Sequence, residues 1–316
     1  MYNIGIDLGG TNIAIGIVDE NYNIVLKDKV PTRTERPTSA IMDDMANLCK
    51  SLLERLNLTF RDIGSAGIAA PGSIDVENGV VRYSNNIKME NYPIARELKN
   101  RIPLKNVFVE NDANAAALAE AKAGAGKGLD DVIMITLGTG VGGGIVIGGK
   151  LYSGFNYAGA ELGHTVIEFG GRQCTCGRNG CFEAYSSATG LINMTKEKLT
   201  ETKDTVMWEM VEGDINNTSG RTAFDACRKG DKAGKEVVDM YIGYLACGLA
   251  NMINIFQPEV LCIGGGVCGE GDYLLNPLKE LIKQNSYGYE RQERNTQLKI
   301  AELGNDAGII GAASLG

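Results

Sequence analysis

The chain predicts an α/β protein built from two domains. Strand-length apolar runs alternate with helix-period segments over 316 residues, which is long for one core and comfortable for two. One plan occurs twice, in residues 2–30 and again in 131–152: strand, glycine turn, strand, short turn, strand. Hydrophobic residues at 44% beside 22% charged give an ordinary globular balance, so these segments have a core to fill.

The elements follow in order. Residues 2–8 alternate Ile and Gly until Gly9, Gly10 and Thr11 break the run. Residues 13–18 resume as a strand, Asn21, Tyr22 and Asn23 turn it, and 24–30 completes an antiparallel meander. A helix comes next, with Ile41, Met45, Leu48, Leu52 and Leu56 at helical spacing and Thr38 or Ser39 as its cap. A buried strand at 63–69 ends at Pro71 and Gly72. Another at 107–109 ends at Glu110, Asn111 and Asp112, and the alanine-rich stretch 113–123 is helical. The meander then restarts with a strand at 131–137, a glycine turn from Gly138 to Gly144, and strands at 145–147 and 150–152 around Gly148 and Gly149. A long helix covers about 233–256, and a strand at 260–263 ends at Gly264, Gly265 and Gly266.

Charge and cysteine usage narrow the class. Lys and Arg number 31 against 39 Asp and Glu, a net charge of −8, and no basic stretch interrupts the balance, which excludes a nucleic-acid partner. The start, with no positive n-region, carries no signal-peptide pattern. The longest apolar run, 242–256, is too short to span a bilayer and contains Asn251 and Asn254, so it reads as a buried helix and no membrane is expected. Three of the eight cysteines cluster and five are scattered, which suits a reducing cytoplasm with one metal site.

Three strand ends carry glycine, two of them with threonine. Glycine lets backbone N–H groups approach phosphate closely, and Thr11 and Thr139 add hydroxyl donors. Asp7 stands at a strand end, suited to hold Mg²⁺ through water. Asp7, Gly9, Gly10, Thr11, Asn12, Thr139, Gly140, Gly265 and Gly266 are therefore the candidate nucleotide-binding residues. The spacing of Gly138, Gly140 and Gly143 matches a dinucleotide fingerprint, but a strand rather than a helix should follow. Gly144, Gly149 and Lys150 nearly match a P-loop, but Leu151 replaces the required Ser or Thr.

Asp112 sits where a strand meets a helix. There Asp112 or Asn111 can cap the helix, and a carboxylate can also take the proton of an alcohol that attacks a γ-phosphate. His164, the only histidine, precedes Cys174, Cys176 and Cys181, with Gly177 and Gly180 in the knuckle. One His and three Cys within eighteen residues suit a structural, tetrahedral Zn²⁺. Glu161 and Glu183 flank this cluster, and carboxylates are strong acceptors for sugar hydroxyls.

Taken in order, the segments around Asp7 to Thr11, Glu110 to Asn114, Leu137 to Gly142, Gly159 to His164 and Cys174 to Glu183 resemble the ROK family, which holds bacterial glucokinases, other hexose and N-acetylhexosamine kinases, and sugar-responsive repressors. The resemblance covers essentially the whole chain, and the His–Cys₃ element with its trailing Glu is its most specific part. It implies an actin-like/ribonuclease H-like ATPase fold of two α/β domains with a central cleft. The small domain would be 1–112 plus about 300–316. The large one, 113–299, would hold the zinc loop and the contacts of a homodimer or dimer of dimers. It further implies Asp112 as catalytic base, with Asn111, Glu161, His164, Glu183, Gly72 and Asn86 on the sugar, Asn85 being adjacent. His164 would use one ring nitrogen for zinc and the other for sugar. The chain departs from the family at Asn12, where many members carry Lys, and near Met89, where many glucokinases carry an aromatic residue.

The expected reaction is in-line transfer from Mg·ATP to the primary hydroxyl of a sugar, glucose first, inside a cleft whose closure excludes water. Other acceptors in view are N-acetylmannosamine, allose and fructose, and polyphosphate is another donor. A non-catalytic sugar-sensing regulator of the same family is the rival. Its helix-turn-helix would precede the first strand, and that strand begins at Tyr2.

Overall fold

The computed structural model describes Met1–Gly316. Contacts divide the chain into two units, one of Met1–Met134, Gly144–Ala160 and Ala301–Gly316, the other of Ile135–Gly143 and Glu161–Ile300.

The first unit opens with the expected meander, β1 (Tyr2–Leu8), β2 (Asn12–Val18) and β3 (Ile24–Pro31), followed by α1 (Thr38–Arg55). Next come β4 (Ile63–Ala70), a small sheet of β5 (Ser73–Asp75), β6 (Val80–Ser84) and β7 (Met89–Tyr92), the short helix α2 (Ile94–Lys99), β8 (Val107–Asn111) and α3 (Asp112–Ala123). The main sheet has the order β3-β2-β1-β4-β8. β1, β2 and β3 pair antiparallel, and β1, β4 and β8 pair parallel. The second plan continues with β9 (Val132–Leu137), β10 (Val141–Ile147) and β11 (Lys150–Leu151). The helices α4 (Phe182–Ser186), α5 (Ala188–Glu201), α6 (Met207–Met210), α7 (Thr222–Arg228) and α8 (Lys232–Phe256) lead to β12 (Val260–Gly264), α9 (Asp272–Asn285), β13 (Gln297–Ile300) and finally α10 (Ala307–Ala313). The second five-stranded sheet runs β11-β10-β9-β12-β13, so each sheet places its third strand at one edge and its fifth at the other.

The two faces of β1 are made for different neighbours. Ile4, Ile6 and Leu8 enter a large core with Met42, Met45, Cys49 and Leu52 of α1. Gly5 and Asp7, alternating with them, face α10. The contact there is backbone on backbone. A Cβ on Gly5 would overlap the carbonyl oxygen of Ile309, and one on Gly67 of β4 that of Ala312. Alanines fill the rest, with Ala69, Ala115 and Ala312 in one cluster and Ala119, Ala307 and Ile310 in another. This is why α3 is alanine-rich: a helix pressed between sheet and helix has no room for longer side chains. Glu120, fully buried on α3, is matched by three backbone donors, Ala125 N at 2.8 Å, Leu303 N at 2.9 Å and Glu302 N at 3.2 Å, which fixes the chain entering α10.

In the second unit α8 runs 25 residues from an Asp231 cap, whose Oδ1 accepts from Gly234 N at 2.7 Å, to Gln257 in the left-handed conformation. No helix is long and apolar enough to cross a membrane.

Two local expectations are corrected. Neither Thr38 nor Ser39 caps α1: Pro37 occupies that position, its ring fixing φ at −56°, and no side-chain cap bond forms. The glycine turn after β9 is only Gly138, Thr139 and Gly140, because Gly142, Gly143 and Gly144 lie inside β10. Gly144 lacks a side chain there because α3 lies against it, with Ala117 in the way of any Cβ.

Gly67→Ala tests the contact under α10. The added methyl meets a carbonyl that cannot swing aside, so a loss of about 3 kcal/mol or more is expected from urea midpoints. A loss below about 1 kcal/mol would mean that α10 lifts freely from the sheet.

Candidate functional site

In the first unit the end of β1 presents Asp7, paired in register with Ala14 and Ala69, ahead of the turn Gly9–Asn12, which closes with Gly9 N donating to Asn12 O at 3.0 Å. Gly10, Thr11 and Asn12 are exposed. Asp7 is partly buried, and α10 leaves room for it only because residue 308 is glycine. Burial, and secondarily the charge of Asp112, push the Asp7 carboxyl up to about 6.

Asp112 is the first residue of α3 and is exposed. Of the two capping candidates, Asn111 is the cap: its Oδ1 accepts from Ala113 N at 2.9 Å and Asn114 N at 3.2 Å. Asp112 Oδ1 also accepts from Ala113 N at 2.9 Å, which orients the carboxylate. Asn111 Nδ2 donates to Gly72 O at 3.0 Å, so two predicted sugar residues are joined directly. Gly72 has φ +104°, and a Cβ on it would overlap Tyr83 O, so only glycine fits. Asn86 lies beside Gly10, 3.6 Å from where a Cβ on that glycine would be. The oxygen of the neighbouring Asn85 is taken by the Tyr83 hydroxyl.

Behind this row lies Glu110, buried, its Oε1 accepting from Asn111 N at 2.8 Å and Asn114 Nδ2 at 3.0 Å. Burial raises its pKa and those two bonds oppose the rise. Sequence reasoning gave it no role, since a glutamate at a strand end looks the same exposed or buried.

The second unit gathers the remaining candidates. Thr139 and Gly140 form the turn after β9, and Gly265 and Gly266 follow β12, with Gly265 at φ +98° against Leu137 of β9. Glu161 is exposed and precedes the tight turn Leu162–His164, in which its carbonyl accepts from His164 N at 3.0 Å. His164, Cys174, Cys176 and Cys181 place their ligand atoms within 4.8 Å of one another. Around a tetrahedral ion with sulfur bonds of ~2.3 Å the sulfurs stand about 3.8 Å apart. The Cys176 and Cys181 sulfurs are 3.7 Å apart, and Cys174 Sγ is 3.7 Å from His164 Nδ1, so the four donors fit a metal and Nδ1 is the nitrogen turned toward it. Burial and then the neighbouring sulfurs push the Cys181 thiol up to about 12, so a thiolate there needs a cation beside it. Glu183, on α4 directly after Cys181, accepts from Val141 N at 3.0 Å through Oε2 and from the Thr175 hydroxyl at 3.0 Å through Oε1. A groove of about 780 Å³ lined by Glu280, Lys283, Tyr287 and Arg291 contains none of these residues.

Two sheets of one strand order, each with a glycine–threonine turn between its first two strands, define an actin-like/ribonuclease H-like ATPase fold. The chain belongs to the ROK family, whose family model matches residues 3–316. It is 38% identical to the glucokinase of Thermotoga maritima over 313 residues, 99% of this chain and 96% of that one. A ROK family glucokinase from Streptomyces griseus, solved in complex with glucose and AMPPNP, is 35% identical with a TM-score of 0.79 over 100% of this chain and 99% of that one. The ROK hexokinase from Thermus thermophilus is 32% identical with a TM-score of 0.82 over 99% and 97%.

The raised pKa of Asp7 predicts a pH-dependent cost. A carboxyl near 6 in the folded chain and 3.8 unfolded favours folding below pH 3.8, and that contribution is lost as pH rises through 6. Asp7→Asn should therefore stabilise the metal-free protein at pH 8, by on the order of 2–3 kcal/mol, and leave it nearly unchanged at pH 4. Urea titrations at the two pH values check this, and equal stabilities at pH 8 would contradict it.

Proposed function

We propose that this chain is an ATP-dependent glucokinase, transferring the γ-phosphoryl group of Mg·ATP to the primary hydroxyl of glucose, with Asp112 as general base. The observation that carries the reading is the exposed Asp112 carboxylate, oriented by Ala113 N–H at the start of α3 within a chain that matches the ROK family along its length. Asp112 takes the hydroxyl proton as the oxygen attacks, and positioning and electrostatics supply most of the rate. Asp7 is assigned to the Mg²⁺ that accompanies ATP, held through water. Gly9, Gly10, Thr11, Asn12, Thr139, Gly140, Gly265 and Gly266 are assigned to the nucleotide, chiefly through backbone N–H groups. Gly72, Asn86, Asn111, Glu161, His164 and Glu183 are assigned to sugar hydroxyls, with His164 Nε2 on the sugar because Nδ1 faces the thiols. The proposed division is a small domain of 1–112 plus about 300–316 and a large domain of 113–299.

Zn²⁺ is the proposed ion at His164, Cys174, Cys176 and Cys181, and it supplies no chemistry beyond fixing the loop that carries Glu161, His164 and Glu183. The protein is proposed to work in the cytoplasm, within glycolysis, as a homodimer or dimer of dimers.

Coupled ADP-release assays with Mg·ATP against glucose, mannose, fructose, allose, N-acetylglucosamine and N-acetylmannosamine test the reaction. Turnover is expected to be fastest with glucose, and a faster rate with another sugar would reassign the substrate. Asp112→Asn should lower kcat by about 10²–10⁴ while glucose binding, measured by calorimetry, stays within a few-fold. Near-wild-type turnover would remove Asp112 from the role of base. Chelation should remove about one zinc per chain and raise KM for glucose severalfold, reversibly on adding zinc back. A metal-free enzyme with unchanged KM would separate the loop from sugar binding.

A further inference from the structure

We infer that Thr32 and Thr189 are positioning residues for the phosphate donor, each tying back the carbonyls of one glycine turn so that the turn offers N–H groups to the phosphates. The inference rests on the kinase reading and adds two residues to it that no motif singles out.

A glycine turn binds an anion only when successive N–H groups converge on one side and the carbonyl oxygens are engaged elsewhere, because a carbonyl dipole aimed at phosphate is repulsive. In the first turn every carbonyl but that of Gly10 is engaged. Thr32 Oγ1 donates to Gly9 O at 2.6 Å, and Thr32 N donates to Thr11 O at 2.9 Å. Gly9 N donates to Asn12 O at 3.0 Å. In the second turn the same pattern recurs with different residues. Thr189 Oγ1 donates to Thr139 O at 2.7 Å, the adjacent Ala188 N donates to Gly138 O at 2.8 Å, and Gly138 N donates to Gly140 O at 3.0 Å. Each turn is thus held by one threonine hydroxyl, one backbone N–H from the same short segment, and one bond of its own. None of these bonds uses the N–H of Gly10, Thr11, Thr139 or Gly140.

Thr32 is itself anchored. It is fully buried, it follows β3 where Pro31 pairs with Asn12, and its carbonyl accepts from Arg36 Nη2 at 3.1 Å. The same nitrogen of Arg36 also meets Asp44 of α1. Thr189 sits in the first turn of α5, where the Ser187 hydroxyl caps the helix by accepting from Gly190 N at 3.0 Å. The two clamps therefore draw rigidity from helices that carry none of the proposed catalytic groups. Valine in place of either threonine keeps shape and volume and removes only the hydroxyl.

The test uses the full chain with zinc present and compares wild type with Thr32→Val, Thr32→Ser, Thr189→Val and Thr189→Ser. Each Val variant should weaken the Kd for Mg·AMPPNP by calorimetry, and raise KM for Mg·ATP, about tenfold, while KM for glucose moves less than about twofold. Each Ser variant, which restores the hydroxyl, should return to within about twofold of wild type. A Val variant with unchanged nucleotide affinity, a Ser variant as weak as its Val counterpart, or equal losses for nucleotide and glucose would overturn the assignment. Thr189 is exposed, so its variants carry the test even where Thr32→Val impairs folding. If wild type binds Mg·AMPPNP but phosphorylates no sugar, the kinase reading fails and the nucleotide affinities still judge the clamps.

Discussion

Much of the first unit depends on how closely α10 approaches its sheet. Helix and sheet usually meet through interlocking side chains. Here Gly5 and Gly67 remove those side chains, and the carbonyls of Ile309 and Ala312 rest directly on the strands. The consequences run outward. β1 must alternate glycine and a short acid on that face while it sends Ile4, Ile6 and Leu8 the other way. α3 must be alanine-rich, because it packs against the same helix through Ala115 and Ala119. Glu120 must accept the N–H groups of Glu302 and Leu303, since a turn held this close to α3 has no water to satisfy them. Asp7 at the end of β1 and Asp112 at the start of α3 take their places from this packing and inherit the rigidity of a small-residue contact.

That rigidity brings two carboxylates into mutual electrostatic reach. Burial raises the pKa of Asp7, and the charge of Asp112 raises it further. The free protein carries this as an electrostatic penalty at neutral pH, of the kind that a divalent cation with bound phosphate would relieve. Glu110 behind the pair has the opposite character. It is buried, bonded to Asn111 and Asn114, and serves to hold the segment that carries Asp112.

The sequence discloses what is local. The meander is legible because alternation and a Gly-Gly-Thr break are short-range signals, and α8 is legible because its apolar residues keep helical period over 25 residues. The candidate metal cluster is legible because His164 and the three cysteines fall within eighteen residues, and the Asp112 segment because a polar triplet separates a strand from an alanine-rich helix. What escapes notice depends on pairing between distant segments. Thr32 looks like any residue after a strand until the register of Pro31 with Asn12 sets it beside the glycine turn. Gly5 and Gly67 look like weak points in strands until α10, from the far end of the chain, lies on them. The small β5–β7 sheet escapes because its strands are three to five residues long, too short for a periodicity to register. The glycine run after β9 misleads for a related reason: Gly142, Gly143 and Gly144 continue β10, and the last two are small to admit Leu162 and Ala117, not to turn the chain.

Glu183 links the His–Cys₃ knuckle to the glycine turn after β9. One of its oxygens holds Val141 N–H, at the exit of the Gly138–Gly140 turn, and the other holds the Thr175 hydroxyl and lies 3.6 Å from the Cys174 sulfur. Cys181, a metal-ligand candidate, is the residue from which α4 and Glu183 begin. The knuckle and the glycine turn are thus joined through one side chain and cannot move independently by more than a hydrogen bond allows. An ion in the His–Cys₃ site would act on the neighbouring turn by removing freedom from Glu183, as an outer group orients a metal's ligands but in the reverse direction. This accounts for a glutamate trailing the last cysteine by two residues. The spacing lets Cys181, the N-cap of α4, stay in the knuckle while Glu183, two places on, holds the N–H at the exit of the Gly138–Gly140 turn.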